Sequence, residues 1–218
     1  IFLDFDGTIA TSEAFENLII TAYQSLPADH TVPSWEALNG LYKAEFLSVT
    51  SRFPVPVTVE EELDLQGQPD LATLERAAYL RTKASGLFNT ASEALLAKEA
   101  AGVELRPGFW EFVKEADRRG LRVSIISRNW SVRWIRLVLR ATGGEYAEKI
   151  FIYCPELLPD GIIRANPRDR PVAVFSGDDK RELMKELKGS SKDVVFIGDS
   201  NSDISPVLLS PTTVGVVA

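Results

Sequence analysis

Short apolar runs rich in β-branched and aromatic residues alternate with helical patterns over much of the chain, and no other feature restricts its fold as strongly. The runs are IFLDF (1–5), LRVSIIS (121–127), IFIYC (150–154), DVVFIGD (193–199) and TTVGVVA (212–218). Between them, FWEFVKEADRRG (109–120), WSVRWIRLVLRAT (130–142) and KRELMKELKG (180–189) carry apolar residues at helical spacing. Strands that alternate with helices pair in parallel, because each helix returns the chain to the same end of the sheet. The pattern therefore predicts an α/β fold with a Rossmann-like core, whose mostly parallel sheet is covered by helices on both faces. Arg106-Pro107-Gly108 marks a helix start and Gly120 a helix stop.

Residues 12–104 break the alternation. EAFENLIITAYQSL, WEALNGLYKAEFL and LATLERAAYLRTKASGLFNTASEALLAKEAAG all read as helical, with PVPVTVEEELDLQGQPD (54–70) as an acidic connector. The expected division is a catalytic core of residues 1–11 and 105–218, with a mainly helical cap, 12–104, inserted after the first strand. A cap on two linkers has to bend near Thr11 and residues 104–107. Residues 158–174 read as a hairpin and irregular loop turning at Asp160-Gly161. Ile1 already lies inside a strand-like run and TTVGVVA stops within one, so both natural termini are expected to extend further.

A net charge of −7 argues against nucleic acid and anionic membrane surfaces as partners. No apolar run approaches bilayer length and no signal peptide is visible. The single cysteine, Cys154, reads as a small buried hydrophobe and points to a reducing, cytoplasmic compartment. Oligomeric state is left open.

In an open parallel sheet, binding chemistry collects at the carboxyl ends of the strands. The residues that follow each strand are therefore the candidates. Asp4, Asp6 and Gly7 follow the first, Ser127, Arg128 and Asn129 the second, and Asp199 and Asp203 (in GDSNSD) the fourth. Lys180 sits at a helix start nearby. Carboxylates at this density suit a hard cation, Mg²⁺ before Ca²⁺. A hydroxyl, an ammonium and backbone N–H groups at helix starts suit a phosphate.

DFDGT (4–8), the strand ending in Ser127, Lys180 and GDSNSD (198–203) occur in the order of the four motifs of the haloacid dehalogenase superfamily, which the chain resembles over residues 1–11 and 105–218. LRPGFWEFVKEADRRGLRVSIIS is most similar to its phosphoserine phosphatase branch. The resemblance implies a Mg²⁺-dependent phosphatase acting on a small-molecule phosphate ester. It makes Asp4 the nucleophile that becomes an aspartyl phosphate, and Asp6 the general acid–base. Mg²⁺ is held by the Asp4 carboxylate, the Asp6 backbone carbonyl and Asp199. Asp203 acts as a further ligand, through water, or by orienting Lys180. Ser127 and Lys180 bind phosphoryl oxygens, helped by Gly7, where the backbone approaches closely, and by the backbone N–H groups of Arg128 and Asn129.

That branch tends to carry a glycine soon after its motif serine, and GDGxxD. This chain has Ser127-Arg128-Asn129-Trp130 and GDSNSD, so the resemblance leaves the substrate open. A phosphotransferase or phosphomutase of the same superfamily, or a non-catalytic phosphate-binding scaffold, are the alternatives. A dehalogenase generally lacks the second acid, present here as Asp6. A receiver domain lacks a helical insertion and places its phosphorylated aspartate later in the chain. Among other residues, Asp179 is expected to cap a helix, Trp134 to pack, Trp130 to line the mouth of the site, and His30, Arg76, Arg81 and Lys83 to face solvent.

Overall fold

The computed structural model describes residues 1–11, 14–191, 193–209 and 213–217. The strands are β1 (Phe2–Leu3), β2 (Ser124–Ile126), β3 (Phe151–Cys154), β4 (Asp169–Pro171), β5 (Val194–Gly198) and β6 (Thr213–Val217). Residues 212 and 218, at the ends of the last expected strand, lie outside the described residues. The strands form one sheet in the order β4-β3-β2-β1-β5-β6, and every neighbouring pair is parallel. Helices α1 (Ala14–Gln24), α2 (Trp35–Thr50), α3 (Val59–Gln66), α4 (Pro69–Ala84) and α5 (Glu93–Ala100) follow β1. The core helices are α6 (Phe109–Arg118), α7 (Val132–Gly143), α8 (Gly177–Lys188) and α9 (Ile204–Val207). The expected α/β class stands, and no helix among the described residues is long and apolar enough to cross a membrane.

Residue parity divides the sheet between two cores. Leu3, Ile125 and Ile152 point to one face, where they meet Phe109 and Val113 of α6, Trp134 and Ile135 of α7 and Leu18 of α1. Their neighbours Phe2, Ile126 and Tyr153 point to the other, against Leu183 and Met184 of α8. Alternate residues of a strand face opposite ways, so burial on both sides requires the continuous apolar runs seen in the sequence. Each fully buried aliphatic or aromatic side chain contributes about 1.5–3 kcal/mol. Trp134 is fully buried, and its Nε1 donates to the Ala14 carbonyl at 3.0 Å, which ties α7 to the start of α1. Cys154 is buried, as expected, and burial pushes its thiol well up.

Two expectations need correction. Residues 158–174 form no hairpin: Asp160-Gly161 does turn, with Gly161 at φ 86°, but the chain loops back and β4 pairs with β3 in parallel. Charge pairs from α7 hold the segment in this course. Arg133 binds Glu156 and Asp160 at 3.2 and 2.9 Å, and the fully buried Arg136 binds Asp169 at the start of β4. Residues 54–70 are more than a connector, because they contain α3. Thr58 and Glu61 form a reciprocal capping box that offsets the crowding of Glu60, Glu61 and Glu62 in the first turn.

The long helical pattern 71–102 is two helices, parted at Ser85-Gly86, where Gly86 takes φ 76°, and restarted by Ser92, whose Oγ accepts from Leu95 N–H. The linkers expected to bend are laced together. Thr11 N–H donates to the Glu104 carbonyl at 3.0 Å, and Ala10 bridges Leu105.

Candidate functional site

β1 lies between β2 and β5, the point from which the strand order runs in opposite directions. Such a switch point opens a crevice at the carboxyl ends of the strands. Asp4 lies just beyond β1, Ser127 just beyond β2 and Asp199 just beyond β5.

The loop after β1 is tightly held. Asp4 Oδ1 accepts from Phe5 N–H at 2.8 Å, and the fully buried Phe5 offers its carbonyl to the N–H groups of Ile9 and Ala10. Arg106, in the second linker, donates to the carbonyls of Gly7 and Thr8 at 2.7 and 2.9 Å. Gly7 has φ +75°, and a Cβ there would fall 2.2 Å from Asp199 Oδ2. Thr8 Oγ1 donates to Asp199 Oδ1 at 2.7 Å, so the loops after β1 and β5 close on each other. Gly7→Ala is therefore expected to strain the backbone by about 1–3 kcal/mol and to push Asp199 out of place. Thermal unfolding should show the first effect. A Mg²⁺ titration followed by tryptophan fluorescence should show the second, as a loss of affinity of about tenfold or more.

Lys180 is fully buried. Its Nζ lies 2.9 Å from Asp4 Oδ2 and donates to Asp203 Oδ1 at 2.7 Å. Asp203 Oδ2 accepts from the N–H and the hydroxyl of Ser200. Gly198 leaves room for this, since a Cβ there would fall 2.4 Å from Asp203 Cγ. Burial holds the Asp4 carboxyl above its usual range, against the pull of Lys180. At Asp203 burial acts in the same direction, but Lys180 and the Ser200 bonds prevail and hold it below.

Asp6 is fixed by two donors: Phe15 N–H, in the first turn of α1, at 3.0 Å and Asn129 Nδ2 at 2.9 Å. Asn129 N–H is donated to Ser127 Oγ at 3.0 Å. Asp4, Asp6, Gly7, Ser127, Arg128, Asn129 and Asp199 all line one cavity of about 440 Å³. Lys180 and Asp203 stand behind Asp4, outside that lining.

Carboxylate oxygens of Asp4, Asp199 and Asp203 lie within 4.8 Å of one another, close enough to hold one metal ion. Asp199 is the exposed member, and both oxygens of Asp203, like both of Asp4, already have a donor or an ammonium beside them. The donor set, three carboxylates, suits a hard divalent cation. The Asp6 carboxylate is not part of this cluster.

The far wall comes from the helical segment. Phe15, Trp35, Leu38, Asn39, Tyr42 and Glu75 face the rim across the cavity, and Trp130 lines it from the core side. Nothing in the sequence singles these helical residues out, because each sits in an ordinary amphipathic pattern. Arg106 was legible as part of a helix start, but not as a clamp on the loop. Asp179 closes a capping box with Ser176, the actual N-cap of α8. His30 is exposed, and Arg81 pairs with Glu45 at 2.8 Å.

Comparison with known proteins gives the family and the fold. The haloacid dehalogenase-like hydrolase family matches residues 1–206. A CTO1 family protein of Schizosaccharomyces pombe is 27% identical over 229 residues, covering 97% of this chain and 79% of its own length. A solved phosphoserine phosphatase, captured as a phospho-aspartyl intermediate analogue, shares the fold with a TM-score of 0.53 and 15% identity, over 97% of this chain and 83% of that one. Cytosolic 5′-nucleotidase IIIB bound to cytidine does so with a TM-score of 0.55 and 16% identity, over 98% and 69%.

Proposed function

The chain belongs to the haloacid dehalogenase-like hydrolase family, and from that premise we propose that it is a Mg²⁺-dependent phosphomonoesterase that hydrolyses a small phosphorylated metabolite through an aspartyl phosphate on Asp4. One observation carries the reading: Asp4 and Asp6 face the same cavity while the buried Lys180 ammonium sits 2.9 Å behind Asp4. A nucleophile, a proton carrier and a fixed positive charge are what phosphoryl transfer requires. The solved relative captured as a phospho-aspartyl analogue shares the fold and is consistent with this chemistry.

Asp4 attacks phosphorus, and the bond from phosphorus to the leaving oxygen breaks. Asp6, as the acid, gives its proton to that oxygen. A water then attacks the aspartyl phosphate while Asp6 takes its proton, and inorganic phosphate leaves with Asp4 restored. Phe15 N–H and Asn129 Nδ2 each donate to one oxygen of Asp6 and orient the carboxyl for this transfer, leaving lone pairs for the proton. Ser127 and Arg128 bind phosphoryl oxygens, and Gly7 lets the backbone come close to them. The Asn129 side chain acts through Asp6. The Asp4 carboxylate, the Asp6 backbone carbonyl and Asp199 would hold Mg²⁺, which would supply positive charge to offset that shared by the nucleophile and the phosphate. Lys180 offsets the charge that develops on the phosphoryl group, and Asp203 fixes it for that task.

Residues 12–104 act as a cap. They close the cavity over the rim and limit it to small molecules, in the reducing cytoplasm that a buried lone thiol suits. The test is phosphate release from a panel of small phosphomonoesters with and without Mg²⁺. Release that needs Mg²⁺ and is removed by chelation is the expected result. Undiminished release in excess chelator would overturn the metal assignment.

A further inference from the structure

We propose that Glu75 selects the leaving group, and that the site is shaped for a phosphate monoester whose alcohol carries a positively charged amine rather than a second anion. The inference deepens the phosphatase reading and rests on it. It starts from a wall that is out of keeping with the ligand: the cavity is to take an anionic phosphate, and its floor already holds Asp4, Asp6 and Asp199, yet α4 adds the carboxylate of Glu75 opposite.

Glu75 is fixed and its positive partner is not. Tyr42 Oη, from the adjacent helix α2, donates to Glu75 Oε1 at 2.7 Å. Burial and the Glu75 charge hold the Tyr42 phenol well above its usual range, so it remains a donor. Arg128 Nη1 reaches the same oxygen at 3.4 Å, the outer limit of a hydrogen bond, and its side chain is 40% exposed. A guanidinium has five donors, and one this loosely held turns to a stronger acceptor when a phosphoryl group arrives beside Ser127, its neighbour in the chain. Glu75 then retains Tyr42 and offers Oε2, to which no described residue donates.

The lining of the cavity favours a cation as well. Phe15, Trp35, Tyr42 and Trp130 line the same cavity, and the Phe15, Trp35 and Trp130 rings form one edge-to-face cluster with centroids 4.9–6.3 Å apart. A carboxylate beside aromatic rings holds an ammonium by charge and by cation–π attraction. A leaving group with its own carboxylate or second phosphate would instead meet the like charge of Glu75 in the same cavity.

The experiment compares O-phosphoethanolamine with phosphoglycolate as substrates of the wild-type protein, Glu75→Gln and Glu75→Asp in the presence of Mg²⁺. Wild type should favour the amine ester in kcat/KM about tenfold or more, Glu75→Gln should lower the ratio of the two by a similar factor, and Glu75→Asp should largely restore it. Calorimetric binding of the same two esters to Asp4→Asn protein should show the same order. It reads the preference even if no ester is turned over, which separates failure of this inference from failure of the phosphatase reading. A wild-type preference for phosphoglycolate, or a Glu75→Gln change that lowers both esters equally and leaves the ratio intact, would overturn the proposal.

Discussion

Asp4→Asn is expected to abolish phosphate release, with a loss on the order of 10⁴-fold or more, because an amide cannot become the acyl phosphate through which turnover runs. The fold should survive the change. Asp4 is buried, and burial raises its carboxyl pKa, so the folded protein binds that proton more tightly than the unfolded chain does. The sign follows directly. A carboxylate whose folded pKa is raised contributes stability when protonated, and that contribution is lost as pH rises from the unfolded value of 3.8 toward the folded one. Asparagine removes the ionisation, while Lys180 keeps its 2.7 Å bond to Asp203. Denaturant unfolding near neutral pH should therefore show the variant at least as stable as wild type, with a weaker dependence on acid pH. A variant that is folded and fully active would refute the covalent mechanism, and inactivity accompanied by unfolding would not support it.

The legibility of this chain follows from which interactions are local. Strand and helix alternation came through because each core element carries its own pattern: Phe2 and Leu3 point to opposite cores, and a run apolar at both positions belongs inside a parallel sheet. The rim was legible for the same reason, since the sheet rule places any residue just after a strand. The hairpin expected at residues 158–174 is absent, and the segment is instead held by distant partners. Arg133 and Arg136, one turn apart on α7, draw in Asp160 and Asp169, and no local turn signal reports on that. The capping box of α3 was present in the sequence as Thr58…Glu61, but a neighbouring run of acids and prolines obscured it.

The far wall was illegible in a stronger sense. Tyr42 and Glu75 are thirty-three residues apart on different helices, and only the packing of α2 against α4 brings them together opposite Arg128. The same holds for Arg106, whose guanidinium reaches across ninety-nine residues to the Gly7 carbonyl. Chemistry that sits on the conserved geometry of a sheet can be read from one sequence, whereas chemistry assembled between inserted helices requires the tertiary fold. Specificity belongs to the second kind.

Lys180→Met should have the other large effect, on stability and rate together. The ammonium is fully buried between Asp4 and Asp203, and removing it leaves two carboxylates in a site that disfavours their charge. Breaking a buried pair in this way costs about 3–5 kcal/mol, and the loss of a fixed positive charge at the phosphoryl group costs on the order of 10²–10³ in kcat. In the variant both carboxyls lose the partner that lowers them, so the folded pKa of Asp4, already raised, rises further, and that of Asp203 rises from below its unfolded value toward or past it. The stability deficit should then be largest near neutral pH and shrink on acidification as the carboxyls take up protons. Lys180→Met combined with Asp203→Asn separates the two roles, since it removes one of the stranded charges without restoring the ammonium. If the double variant regains stability in denaturant unfolding but keeps the loss in kcat, the charge of Lys180 is needed in the transition state. If it regains both, Lys180 serves only to neutralise the carboxylates around it, and the catalytic role assigned to it falls.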